Sequence, residues 1–179
     1  MNRTSPVLVA LLLATSAQAE DISSQFDCIE LELFAAPKED IADRGDARAA
    51  LIPPEMLTQL RDQIAVKVPL EITGMKTRLA PEQQCESEDR ALVFGGQVTD
   101  YKKGNQAARY LVGFGAGKQK FEVDAVLKRK SDGSVIAQDT VVDRKIGGLM
   151  GGSKDKGKED FAEKVADFIH GGLTGRKED

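Results

Sequence analysis

Few side chains in this sequence combine the type and the spacing that chemistry needs. There is one histidine, His170, and it stands beside Gly171 and Gly172 near the end of a C-terminal helical pattern. A cation there suits the helix dipole. General acid–base work needs a paired group within reach, and the sequence sets none beside it. Two carboxylate pairs recur at strand spacing, Glu30 with Glu32 and Glu122 with Asp124. Each pair shares one face of an alternating segment, so each could hold a cation or form a dyad, although a solvated strand face has the same pattern. No serine sits in a G-x-S-x-G turn, and no His/Cys/Asp cluster has metal-ligand spacing. The expectation is a protein without catalytic residues, metal or cofactor, and not an enzyme.

The stretch "RYLVGFGAGKQK", Arg109 to Lys120, is the least ordinary part of the chain. Glycines followed by lysine invite a phosphate-cradle reading. The P-loop pattern fails, because Lys118 is followed by Gln119, and the dinucleotide pattern fails because Gly117 comes one residue early. A strand pattern follows, so no helix N-terminus would meet an anion. The apolar run is too short to span a bilayer, though a shallow membrane touch remains open. Gly113, Gly115 and Gly117 are therefore read as a structural turn that needs glycine for its backbone geometry. Arg109, Lys118 and Lys120, with Lys102 and Lys103 just upstream, are the candidate binding residues.

The elements that must position these groups are read from periodicity. Phe26 to Ala36 alternates, with Ile29, Leu31 and Leu33 on one face and Glu30 and Glu32 on the other. Cys28 shares the glutamate face, which predicts a cysteine on the more exposed side. Pro53 and Pro54 open a helix carrying Met56, Leu57, Leu60 and Ile64 at helical spacing, and Pro69 is expected to stop it. A strand over Arg90–Tyr101 presents Leu92, Phe94 and Val98, with Gly95 and Gly96 marking a bulge or a close crossing. Asn105 is placed to cap a short helix. A strand over "KFEVDAVLKR", the turn Ser131-Asp132-Gly133-Ser134 and the strand "SVIAQDTVVDRK" predict a β-hairpin. A closing helix carries Phe161, Val165, Phe168 and Ile169, with Gly171-Gly172 expected to end it. The order predicts an α+β fold: a small, mainly antiparallel sheet with a β-hairpin, covered by two main helices.

The N-terminus has the form of a cleaved signal peptide. Arg3 precedes the apolar run "VLVALLLA" and then "SAQA", which predicts cleavage after Ala19. The predicted organisation is a signal peptide at 1–19, a single domain at 20–173 and a flexible tail at 174–179. Export places Cys28 and Cys85, the only two cysteines, in an oxidising compartment, where a lone pair bridges. The full chain of 179 residues has net charge −4, unevenly spread. Residues 20–100 hold 17 acidic and 8 basic side chains, and residues 101–179 hold 12 acidic and 16 basic. A basic C-terminal half can meet anionic lipid, glycan or an acidic partner. There is no tryptophan and aromatics are 5% of the chain, which counts against a ring-stacked sugar or base site.

"GGQVTDYKKGNQAARYLVGFGAGKQKFEVDAVLKRKSDGSVIAQ", followed by "GGLMGGS" and an amphipathic helix, resembles the bacterial exported family DUF4410, a domain of unknown function. The resemblance runs from Phe26 to about Gly172 and is most specific between Gly96 and Gly117. Many members look like lipoproteins, whereas this chain lacks a lipidation cysteine. The resemblance implies an envelope location and an α+β fold, and brings no activity, substrate or catalytic residue. The expectation is a periplasmic or secreted interaction or assembly module. Its basic, glycine-rich side would contact an anionic surface or an envelope protein, with at most peripheral membrane contact and no nucleic acid. The alternative is a periplasmic binder of a small anionic molecule.

Overall fold

Alternating apolar residues build one sheet, and two helical stripes cover one of its faces. The computed structural model describes residues 21–36, 52–102, 120–144 and 154–176. In chain order the elements are β1 (Cys28–Leu31), α1 (Pro54–Glu71), β2 (Lys76–Leu79), β3 (Ala91–Lys102), β4 (Lys120–Arg129), β5 (Val135–Asp143) and α2 (Lys154–Thr174). The sheet order is β2-β1-β3-β4-β5. β3, β4 and β5 are antiparallel, and Gly133 supplies the left-handed turn (φ +71°) of the β4–β5 hairpin.

The sheet is mixed, which corrects the expected mainly antiparallel arrangement. β1 pairs parallel with both β2 and β3. Parallel neighbours need a long crossover, and α1 provides it between β1 and β2. The segment "KTRL" of β2 carries two cations in four residues and lacks apolar alternation, so nothing in its composition announces a strand.

The core lies between the sheet and the helices. Ile29, Leu31, Leu92, Phe94, Val98, Phe121, Val123 and Leu127 meet Leu60, Ile64, Phe161, Val165 and Ile169, all but fully buried. Edge-to-face rings run through its centre: Phe121 to Phe161 at 5.2 Å, Phe34 to Phe161 at 5.9 Å and Phe34 to Phe94 at 6.0 Å between centroids. β1 departs from its predicted alternation. Regular pairing ends at Leu31, so Leu33 is 45% exposed and Phe34 takes the core position instead. The register of β3 shifts between Val98 and Asp100 rather than at Gly95 and Gly96, which brings both Val98 and Tyr101 onto the helix side.

Two expected helix ends move outward. α1 continues through Pro69 to Glu71. Proline has no N–H to offer the carbonyl four residues back, which is that of Ala65. The Thr77 hydroxyl of β2 donates to that carbonyl at 3.1 Å, so the bond Pro69 cannot make is replaced from the sheet. α2 continues through Gly171 and Gly172 to Thr174. Gly172 faces β5 so closely that a Cβ there would sit 2.7 Å from the Ala137 Cβ. It serves contact between helix and sheet rather than termination.

Candidate functional site

The face of the sheet away from the helices divides into two halves. Over β1 and β2 it is roofed by residues 80–90. A Cys28–Cys85 disulfide, with Cα atoms 6.0 Å apart, fastens this roof to β1. Under it the Glu30 carboxylate accepts the Cys85 backbone N–H at 2.7 Å and pairs with Lys130 Nζ at 2.7 Å. Arg61 of α1 reaches round to donate to the Ala80 carbonyl at 2.6 Å and meets Glu82 at 3.4 Å. Cys28 and Glu30 are therefore buried, not on an exposed face as their alternation predicts. Charged groups stay buried where partners replace water, and Lys130 and a backbone N–H do so for Glu30. Arg61 stands out as a structural charge only in three dimensions, since it belongs to no motif, and Glu30, read in sequence as half of a possible pair with Glu32, is instead partnered under the roof.

A second cluster forms at one end of the sheet. Lys102 closes β3, Lys120 opens β4 and Asp143 closes β5, and the register aligns them, with Lys102 opposite Lys120 and Phe121 opposite Asp143. Lys120 Nζ lies 2.6 Å from Glu122 and 3.2 Å from the buried carboxylate of Asp100, and Lys102 Nζ lies 3.6 Å from Asp100. The hydrogen bond to Glu122, reinforced by that to Asp100, outweighs burial and holds the Lys120 ammonium above its ordinary pKa. Beside them Lys164 of α2 donates to Asp143 Oδ2 and to the Val142 carbonyl, each at 2.9 Å. Arg144 has no ion-pair partner among the described residues. It shares with Lys120, Lys164 and Glu122 a recess of about 310 Å³.

Of the candidate binding residues, the structure thus places Lys102 and Lys120 together, each facing a carboxylate. Lys103, Arg109 and Lys118, and the turn glycines Gly113, Gly115 and Gly117, lie outside the described residues, as does the helix expected after Asn105. The carboxylate pairs do not form dyads. Glu30 is roofed while Glu32 is exposed. Glu122 receives the Thr99 hydroxyl at 3.2 Å, and Asp124 receives that of Thr140 at 2.7 Å. His170 lies in the last turns of α2, where its carbonyl accepts the Thr174 hydroxyl at 2.9 Å. Among the described residues no group of three or more His, Cys, Asp or Glu side chains is arranged to hold a metal ion. No described helix is long and apolar enough to cross a membrane.

The chain belongs to the DUF4410 family, a domain of unknown function, whose family model matches residues 15–151. No curated protein sequence matches it. In shape it is similar to the PelC dodecamer from Paraburkholderia phytofirmans, at 15% identity and TM-score 0.48, covering 82% of this chain and 87% of that one. It is also similar to a Xanthomonas campestris protein of the DUF330 family, at 13% identity and TM-score 0.42, covering 80% and 81%. A Caulobacter crescentus protein provisionally named a lipoprotein aligns at 14% identity and TM-score 0.39, covering 85% and 92%. These are distant likenesses of chain path, and no functional assignment rests on them.

Proposed function

We propose that this protein is an exported, non-enzymatic interaction module of the cell envelope, which meets an anionic surface through the end of its sheet where β3, β4 and β5 carry Lys102, Lys120 and Arg144. A disulfide-fastened fold, a signal-like N-terminus and membership of DUF4410 support the compartment. The observation that carries the surface is charge at that end. Lys102, Lys120, Arg144 and Lys164 face Asp100, Glu122 and Asp143, a near balance held by the described residues. The sequence then adds Lys103, Arg109 and Lys118 within 103–119 and Lys145 within 145–153, and neither segment contains an acidic residue. The carboxylates hold the described lysines in place, and the excess positive charge comes from the stretches of sequence that follow Lys102 and Arg144.

The test is co-sedimentation of the mature protein with vesicles of phosphatidylglycerol and phosphatidylcholine, against phosphatidylcholine alone, over a series of salt concentrations. Binding is expected only to the anionic vesicles and to fall steeply as the screening length drops to about 8 Å at physiological ionic strength. An Arg109→Ala, Lys118→Ala, Arg144→Ala variant is expected to lose it. Salt-independent binding, or equal binding by the variant, would remove this reading. A second reading rests on the 310 Å³ recess beside Arg144, which has room for a small anion. It predicts that a soluble anionic metabolite raises Tm in proportion to the logarithm of its concentration above Kd, with no vesicle binding.

A further inference from the structure

The half of the outer face that none of the described residues roofs carries a cleft that the surface reading above does not use. It encloses about 520 Å³, within the ~300–1,000 Å³ range of small-molecule sites. Its floor is Val93, Gly95 and Gln97 of β3 with Val126 of β4. Gly95 is the position that shapes it. A Cβ there would collide with the Glu32 carboxylate, so the absent side chain lets Glu32 lie across the strand. Glycine inside a strand marks such a close approach.

Two charges flank this floor, Glu32 beyond β3 on one side and Lys128 of β4 on the other. Both are exposed, and neither has a partner among the described residues. The neighbouring charges already have partners: Lys130 has Glu30, Arg129 has the Gln25 amide oxygen and the Phe26 ring, and one oxygen of Asp124 accepts the Thr140 hydroxyl. The cleft therefore offers one anion and one cation, held apart over an uncharged floor. The amides of Gln97 and Gln138 also line it, each supplying a donor and an acceptor. Among the described residues no aromatic ring lines the cleft, and sugars and nucleobases stack on such rings. Charge of both signs does not suit a simple anion.

We propose that this cleft binds a short peptide with free ends, its ammonium on Glu32 and its carboxylate on Lys128, with the peptide groups between them crossing Val93 and Gly95 of β3. The span fits. β1 and β4 lie on either side of β3, two strand spacings apart, and Lys128 stands opposite Val93, two residues along β3 from Gly95 and Glu32, so the two backbones are about 12 Å apart on the diagonal. An extended chain covers about 3.3–3.6 Å per residue, which makes a tripeptide the matching length.

The experiment is a titration of the isotope-labelled mature protein with tri-alanine, followed by backbone amide NMR. Resonances of Gly95, Gly96 and Gln97 are expected to move. N-acetylation or C-amidation of the peptide is expected to weaken binding about tenfold each, the loss of one charged hydrogen bond. Glu32→Gln should reproduce the effect of acetylation and make acetylation itself inconsequential. Lys128→Met should do the same for amidation. Both substitutions are on exposed side chains, so the fold is retained, and a thermal melt verifies it. Failure of those amides to move at millimolar tri-alanine, or equal binding of free and blocked peptides, overturns the proposal. Neither result bears on vesicle binding at the sheet end.

Discussion

Glu30 and Glu32 are two residues apart, alternate in the same pattern and face the same side of the sheet, yet their surroundings are opposite. Glu30 is 7% exposed, held by Lys130 and the Cys85 N–H beneath a disulfide-fastened roof. Glu32 lies in the open over Gly95. The difference lies in what covers each half of the face, not in the strand. The roof turns one carboxylate into a structural anchor. Among the described residues nothing covers the other, which is exposed.

The largest effect should come from removing the roof's fastening. A Cys28→Ser, Cys85→Ser variant is expected to lose about 2–5 kcal/mol of stability, measured by urea unfolding under non-reducing conditions. A loss below ~1 kcal/mol would mean that Arg61 and Glu30 hold the roof without the bond. Next, Glu30→Ala is expected to cost about 1–3 kcal/mol, because it leaves the Cys85 N–H and the Lys130 ammonium without their carboxylate. Glu32→Ala should change stability by no more than about 0.5 kcal/mol, as exposed substitutions do. Equal costs at the two positions would erase the contrast between the two halves.

The smallest expected effect concerns the helix-covered side and sharpens the comparison by titration. Burial pushes the Tyr101 phenol above its ordinary 10.0. A raised acid favours the protonated fold, so its contribution is fully present below that ordinary value and is lost as pH rises through the folded pKa. Spectrophotometric titration should show in the wild type a tyrosine transition above the ordinary 10.0 that Tyr101→Phe removes. The variant should also lose less stability than wild type above pH 10.0. Matching stability profiles would show that Tyr101 ionises as it does in the unfolded chain.

The cleft and the roof differ in how much of them local sequence reveals. Gly95-Gly96 in a strand pattern announced a bulge or a close crossing, and the structure has the second at Gly95, with Glu32 against it, while the register shift falls at Val98/Asp100. The disulfide was expected from a lone pair of cysteines behind an N-terminus that reads as a signal peptide, and the structure pairs Cys28 with Cys85. Nothing local marks Arg61, whose role depends on Ala80 and Glu82, about twenty residues away. The lysine cluster at the sheet end was visible as basic residues, but its carboxylates come from β3, β4 and β5 and meet only through register.

Local periodicity by itself determined the hairpin, the long β3 strand and the buried stripes of both helices. In those segments the side chains repeat with the spacing of their own element, so a single face can be assigned from neighbours in sequence. Only the tertiary structure decided the parallel pairing of β2, the passage of α1 through Pro69 and the burial of Glu30. Each depends on a partner distant in sequence: β1 for Lys76–Leu79, Thr77 for the Ala65 carbonyl, and Lys130 with the Cys85 N–H for the carboxylate. A buried charge or a missing backbone bond is tolerated when such a partner arrives, and its arrival is a property of the folded chain.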